Sequence, residues 1–134
     1  MALLTSSLTV SACGSLPPRS QLSSSFVAEA DVVCRDARSS EPMDASPART
    51  LGLHALWSKQ FFAIPTHGAD IAIVARLRER NELYVERLRK LVNDVAMDPS
   101  SASADADGAR QRRAAVILDR ELRTDGLGNC ADLP

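Results

Sequence analysis

The most regular pattern of hydrophobic and polar positions covers residues 70–97. Apolar side chains recur there at alternating spacings of three and four residues, which places them along one face of a helix. The stripe consists of Val74, Leu77, Asn81, Tyr84, Leu88, Leu91 and Val95, with Val85 and Val92 beside it. Its width is typical of a helix in a bundle rather than of a two-stranded coiled coil.

Asn81 is the polar exception within the stripe of residues 74–95. In a coiled coil, an Asn at such a position sets the register or the number of partner helices. In a bundle, the Asn side chain bonds to a neighbouring backbone group instead. The width of the stripe favours this second interpretation, although the first stays open.

Two helices are predicted before this segment. One covers residues 26–38, where Ser24 or Ser25 can cap the first turn, and the other covers residues 49–64. Two prolines and several polar residues within positions 39–47 separate them.

A loop rich in Ser and Asp follows the long helix, and a last helix is predicted from Asp107 or Gly108 to Arg123. Gly126 suits the position just after a helix end, where the backbone needs positive φ. The sequence therefore predicts an all-α fold, an antiparallel helical bundle of three to four helices, over residues 26–134.

The N-terminus begins with a short apolar run and a Val-Ser-Ala-Cys sequence that ends at Cys13. This order of a branched residue, two small residues and a cysteine is similar to the lipobox of bacterial lipoprotein signal peptides. Small residues let the peptidase draw in an extended backbone, and the cysteine sulfur receives a diacylglycerol. The resemblance implies a signal-peptide-like segment at 1–12 and lipidation of Cys13, which would anchor the chain to a membrane surface.

Residues 13–25 are rich in Ser, Pro and Gly and cannot bury enough apolar surface to offset their chain entropy. We expect a disordered N-terminal segment here that acts as a flexible tether. Signal peptides normally open with a basic residue, whereas the first one in this chain is Arg19. Either translation starts upstream of Met1, or this is the ordinary N-terminus of a soluble protein.

Composition and charge argue against two classes of protein, those that span a membrane and those that bind nucleic acid. Aromatic residues make up 4% of the chain, so the core must be largely aliphatic, which suits closely packed helices. No stretch approaches the roughly 20 apolar residues of a membrane-spanning helix. The net charge of −1 gives no global attraction to nucleic acid or an anionic membrane. Nucleic-acid binding is also disfavoured by the acidic residues near the two arginine clusters, which are Arg76, Arg78 and Arg80, and Arg110, Arg112 and Arg113.

The chain has three cysteines, which is an odd number for a disulfide-bonded protein. If the chain is exported and Cys13 carries lipid, Cys34 and Cys130 remain to pair in an oxidising compartment. Such a bond would close a loop of nearly the whole domain and stabilise it by about 4–5 kcal/mol through loop-closure entropy. The alternative is a cytosolic protein with three separate thiols.

Both ends of the domain resemble uncharacterised small secreted or lipid-anchored helical proteins of high-GC bacteria. The first motif, F-x-x-E-A-D-x-x-C, runs from Phe26 to Cys34, and the second, L-G-x-x-C, runs from Leu127 to Cys130. The resemblance implies a helical body, export and a disulfide between the two ends. It implies no activity, and the chain is short for the family.

Residues with the potential for chemistry are few. His54 and His67 are the only histidines, and neither has a second ligand at metal spacing, so we expect no metal and no cofactor. No catalytic motif is found. The candidate ligand or partner face consists of Trp57, Phe61, Tyr84 and Asn81, which could equally be core residues.

The first functional hypothesis is a non-enzymatic, lipid-anchored extracytoplasmic protein that binds an envelope protein or a small ligand. The second is a cytosolic helical-hairpin protein with a regulatory or structural role, which forms a weak homodimer through the 74–95 stripe. The third is a shortened member of the family without a stable function.

Overall fold

A computed structural model describes residues 21–40 and 46–133 of the protein. The signal-peptide-like segment 1–12, the lipidation site Cys13 and most of the tether 13–25 lie outside the described residues. The predicted disorder of the N-terminal segment therefore stays a prediction.

The described part of the chain is all-α and contains no strand, which confirms the predicted fold class. The four helices are α1 (Ser24–Ser39), α2 (Pro47–Phe61), α3 (Asp70–Met97) and α4 (Ala102–Thr124), followed by a short 3-10 turn at Gly128–Cys130. Consecutive helices pack against each other in antiparallel order, and α3 contacts both α2 and α4.

Serine side chains start three of the helices. The hydroxyls of Ser23, Ser46 and Ser101 accept hydrogen bonds from backbone N–H groups in the first turns of α1, α2 and α4. Each such cap stabilises a helix by about 1 kcal/mol. The predicted bounds of α3 are confirmed, whereas α4 begins at Ala102, where the sequence predicted a loop. There, Ser101 caps a helix start in which three of the first five residues are alanine, which favours helix.

The apolar stripe of α3 faces α2 and α4 of the same chain. Its central members are less than 6% exposed, and they are Val74, Leu77, Asn81, Tyr84 and Leu88. Each therefore packs inside the monomer, so the fold leaves no room for a second copy on the centre of this stripe. The centre of the 74–95 stripe is therefore not available as a dimer interface, whereas Leu91, Val92 and Val95 at its end are partly exposed, and a homodimer stays a prediction.

The folded body includes the last residues of the segment assigned to the tether. Leu22 is buried in the core. Ser23 binds the buried carboxylate of Asp70 twice, with its backbone N–H at 2.8 Å and its hydroxyl at 2.6 Å. The ordered body therefore starts at least four residues before Phe26, because these contacts fix the start of α1 to the start of α3.

Ion pairs join α3 and α4 at both ends. Near the start of α3, Arg76 donates to both carboxylate oxygens of the buried Asp125 at 2.9 Å. Near the other end, the buried Asp107 accepts from Lys90 at 2.6 Å and from Arg110 at 2.7 Å. The two clusters fix the antiparallel register of the helices, because each buried carboxylate needs its cation.

The chain after α4 turns back onto α1. Gly126 has φ +85°, and Leu127 N–H donates to the Leu122 carbonyl at 2.8 Å, which is the predicted glycine-terminated helix end. Cys130 is then bonded to Cys34, so that the predicted disulfide is present across 96 positions of sequence. Arg38 of α1 also donates to the carbonyls of Asn129 and Ala131.

Removing the Cys34–Cys130 bond should destabilise the domain substantially. In a Cys13→Ser background, we expect C34A/C130A to lower the free energy of unfolding by about 2–5 kcal/mol, because the unfolded chain regains the entropy of a long loop. Thermal unfolding followed by circular dichroism measures the loss. Adding dithiothreitol should lower the melting temperature of the parent and leave that of C34A/C130A unchanged; equal melting temperatures of parent and variant would contradict the expectation.

Asp70 should make stability depend on acid pH. Hydrogen bonds from the hydroxyl and backbone N–H of Ser23 lower the pKa of Asp70 below the ordinary 3.8. Its stabilising effect is therefore fully present above pH 3.8 and is lost as the pH falls through the lower folded-state pKa. We expect Asp70→Asn to lower the melting temperature at neutral pH and to differ less from the wild type in acid. Asp36→Asn, at an exposed carboxylate, is the control; a pH-independent effect of Asp70→Asn would contradict this account.

Candidate functional site

The four residues of the candidate ligand or partner face lie inside the bundle. Trp57 and Tyr84 are 3% exposed, Asn81 is 5% exposed and Phe61 is fully buried. They therefore form no face for a partner on the surface and pack as core residues, whereas the binding of a small ligand beside them stays a prediction. The physical reason is that the few aromatic rings of the chain pack on one another, with Trp57 4.9 Å from Phe61 and Phe26 5.7 Å from Phe61 between ring centroids.

His54 connects this aromatic cluster to a polar one. Its ring lies 5.0 Å from that of Trp57 and 4.5 Å from that of Tyr84. Its Nε2 is 2.6 Å from Oδ1 of Asn81, and the Asn81 amide donates to the hydroxyl of Ser58 at 3.1 Å. Because His54 and Ser58 are four residues apart on α2, both reach the same Asn on α3.

Asn81 thus binds side chains of α2, and not the backbone group that the sequence analysis favoured. The polar network joining α2 to α3 consists of His54, Ser58 and Asn81, and we call it the α2–α3 network. The network could not be recognised directly in the sequence, because Ser58 and His54 belong to a segment whose pattern is dominated by apolar residues. Their spacing of four positions, on a helix facing an Asn, was the signal that could have revealed it.

The hydrogen bonds of the α2–α3 network suit the joining of two helices better than they suit acid–base catalysis. The carboxamide of Asn81 bonds to both His54 and Ser58, and a carboxamide does not accept a proton at neutral pH. A serine nucleophile needs a base within hydrogen-bond reach. Ser58 is hydrogen-bonded to the carboxamide of Asn81, which is not a base of this kind.

The disulfide lies against the same aromatic cluster. The indole N–H of Trp57 donates to Sγ of Cys34 at 3.2 Å. Cys34 is fully buried and Cys130 is 1% exposed. Reactive cysteines need an accessible, electropositive setting, so this bond has the character of a structural disulfide.

A small cavity opens beside Trp57. It has a volume of about 100 Å³ and lies among the end of α1, one face of α2 and Leu133. Its lining includes Asp36, Ala37, Leu53, His54 and Trp57. Typical ligand sites measure about 300–1,000 Å³, so this cavity matches a single side chain or a very small apolar molecule.

Burial also shifts two ionisable groups nearby. Burial raises the pKa of the Tyr84 hydroxyl, which accepts a hydrogen bond from Gln111 at 3.3 Å. Burial likewise raises the pKa of the Asp119 carboxyl, which accepts the backbone N–H of Asp132. Tyr84 therefore stays neutral at physiological pH and acts as a hydrogen-bonding partner between α3 and α4.

Two further findings concern the described residues only. They contain no group of three or more His, Cys, Asp or Glu side chains placed to hold a metal ion. His67 lies exposed in the turn before α3. None of the described helices is both long and apolar enough to cross a membrane.

Truncating Asn81 tests the structural role of the α2–α3 network. We expect Asn81→Ala to lower the free energy of unfolding by about 1–3 kcal/mol, since the buried ring of His54 and the partly buried hydroxyl of Ser58 each lose a hydrogen bond. Asn93→Ala, at an exposed position of the same helix, is the matched control and should change stability by less than about 0.5 kcal/mol. Urea unfolding of the oxidised proteins gives both values. Similar losses for the two variants would show that the network contributes nothing specific.

No protein-family model matches the chain, and no similar curated protein or solved structure is found. The family resemblance of the two cysteine-containing ends therefore stays a prediction. Any function has to be inferred from the residues of this chain itself.

Proposed function

We propose that the protein is exported, anchored by lipid at Cys13, and acts at the cell envelope as a non-enzymatic binding or interaction module. The observation that carries the proposal is the buried bond between Cys34 and Cys130. Stable disulfides persist in oxidising compartments outside the cytosol and are rare within it.

The disulfide also accounts for the odd number of cysteines. With Cys34 and Cys130 paired, Cys13 is the one thiol left, and it lies at the end of the lipobox-like sequence. An exported protein with an unpaired cysteine would risk forming bonds between molecules. Lipidation of Cys13 would remove that risk and fix the chain to a membrane at the same time.

The interior of the bundle supports a binding role better than it supports a catalytic role. The polar side chains in the core are bonded to one another in the α2–α3 network, and the cavity beside Trp57 is small. Recognition of a protein or a surface by the outside of the bundle uses none of these buried groups.

The cytosolic alternative is less well supported by the fold than the exported one. Its dimer interface was the stripe of residues 74–95, and the centre of that stripe packs against α2 and α4 of the same chain. A cytosolic location would also leave the disulfide in a reducing environment.

Mass spectrometry of the protein from the organism that encodes it tests the proposal. We expect a mature chain that begins at a diacylated Cys13, with Cys34 linked to Cys130 and no thiol available to alkylation under non-reducing conditions. Cys13→Ser should abolish lipid attachment and leave the protein unprocessed. Ser15→Ala, two residues after the cysteine, is the matched control and should be processed normally.

The opposite result is equally clear. An unlipidated chain with three alkylatable thiols, recovered from the cytosol, would contradict both export and anchoring. A cytosolic helical protein would then be the better hypothesis, with an interface other than the centre of the stripe.

A further inference from the structure

We propose that the outer face of α4 docks onto an anionic membrane surface. This proposal rests on and deepens the proposed function, since a lipid anchor would hold the domain at a membrane. The observations that support the docking itself all come from α4. We define the docking face as Ala109, Arg112, Arg113, Val116, Ile117 and Arg120.

Helical spacing brings these residues to one side of α4. Arg112, Val116 and Arg120 follow one another at intervals of four, and Arg113 lies three residues before Val116. Residues three or four apart are neighbours on a helix surface. The opposite side of α4 carries Ala114, Leu118 and Leu122, which are buried against the rest of the bundle.

Three arginines of the docking face have no carboxylate partner. Within residues 21–40 and 46–133, Arg112, Arg113 and Arg120 are exposed and form no ion pair. The neighbouring Arg110 and Arg123 differ, because they pair with Asp107 and Asp132. The face therefore presents positive charge that the fold itself does not neutralise.

The acidic residues of α4 are mostly engaged elsewhere. Asp107 is buried between Lys90 and Arg110, and Glu121 pairs with Arg76 of α3. Asp119 is half-buried, and its carboxylate accepts the backbone N–H of Asp132. The exposed Asp105 lies at the start of the helix, almost two turns before Arg112.

An apolar centre completes the docking face. Val116 is 65% exposed, and with Ala109 and Ile117 it lines a shallow groove of about 480 Å³ between the side chains of Arg112 and Arg113. Aliphatic residues surrounded by arginines are the pattern of helices that lie at a lipid interface, where the apolar side chains enter the headgroup layer and the cations bind phosphate.

The net charge of −1 does not oppose this docking. Attraction to a charged surface falls off within a Debye length of about 8 Å, so the membrane responds to the nearest charges and not to their sum over the molecule. Each arginine near an anionic surface changes partitioning by about fivefold. The exposed aliphatic centre favours lipid over nucleic acid, since nucleic-acid phosphates would use the arginines and leave Val116 without a partner.

Vesicle binding of the unlipidated full chain tests the proposal. The Cys13→Ser protein is sedimented with vesicles of equimolar phosphatidylglycerol and phosphatidylcholine, and with vesicles of phosphatidylcholine alone. We expect binding to the anionic vesicles only, weakening as salt is added. R112Q/R113Q/R120Q should reduce the partition coefficient by roughly 100-fold, about fivefold for each arginine.

A second triple variant controls for total charge. R35Q/R49Q/R89Q removes the same charge from exposed positions of α1, α2 and α3, and it should bind nearly as well as the parent. Val116→Ser should weaken binding, whereas Val32→Ser, at a comparably exposed valine of α1, should not. Circular dichroism confirms that each variant is folded before its binding is compared.

Three outcomes would overturn the proposal: no preference for anionic vesicles, equal losses in the two triple variants, or displacement from vesicles by a short duplex DNA that binds more tightly. The test is separate from that of lipidation. A protein that is lipidated at Cys13 but fails to bind vesicles would keep the proposed function and lose the docking face.

Discussion

The disulfide between Cys34 and Cys130 is the constraint on which the described fold depends most. It holds the chain after α4 on α1, although these two parts lie at opposite ends of the domain sequence. The indole N–H of Trp57 in α2 donates to Sγ of Cys34, one of the two bonded sulfurs. The Trp57 ring contacts the ring of His54, which in turn is hydrogen-bonded to Asn81 of α3. One covalent bond thus lies at the meeting point of α1, α2 and the C-terminal turn.

Much of the helical fold could be predicted because its cues are local. The period of the apolar residues located α3 from Asp70 to Met97 without error, and the glycine after α4 located that helix end. The start of α4 could not be predicted, because a segment of Ser, Ala and Asp suits both a loop and a capped first turn. Ser101 decides between them by binding the backbone of Ala104 at 3.0 Å.

The interior of the candidate site was much harder to predict than the helices. Sequence spacing could mark Trp57, Tyr84 and Asn81 as members of helical faces, but it could not say whether those faces meet. Whether His54 bonds to Asn81 depends on the rotation of α2 against α3, which side-chain packing between the helices decides. The pairing of Cys34 with Cys130 was easier, because only one pair remains once Cys13 is set aside.

The distribution of charge shows why the net charge of the chain does not predict the charge of one face of the protein. Carboxylates such as Asp107 and Asp125 are buried, where each is matched by a cation of α3 or α4. Each of these carboxylates lies within about 3 Å of its cation, so the pair adds nothing to the net charge and presents little field to the solvent. Within the described residues, Arg112, Arg113 and Arg120 are exposed together on one face of α4 and form no ion pair. A nearly neutral protein can therefore carry a basic face, provided that its exposed acidic residues lie mainly on other parts of the surface.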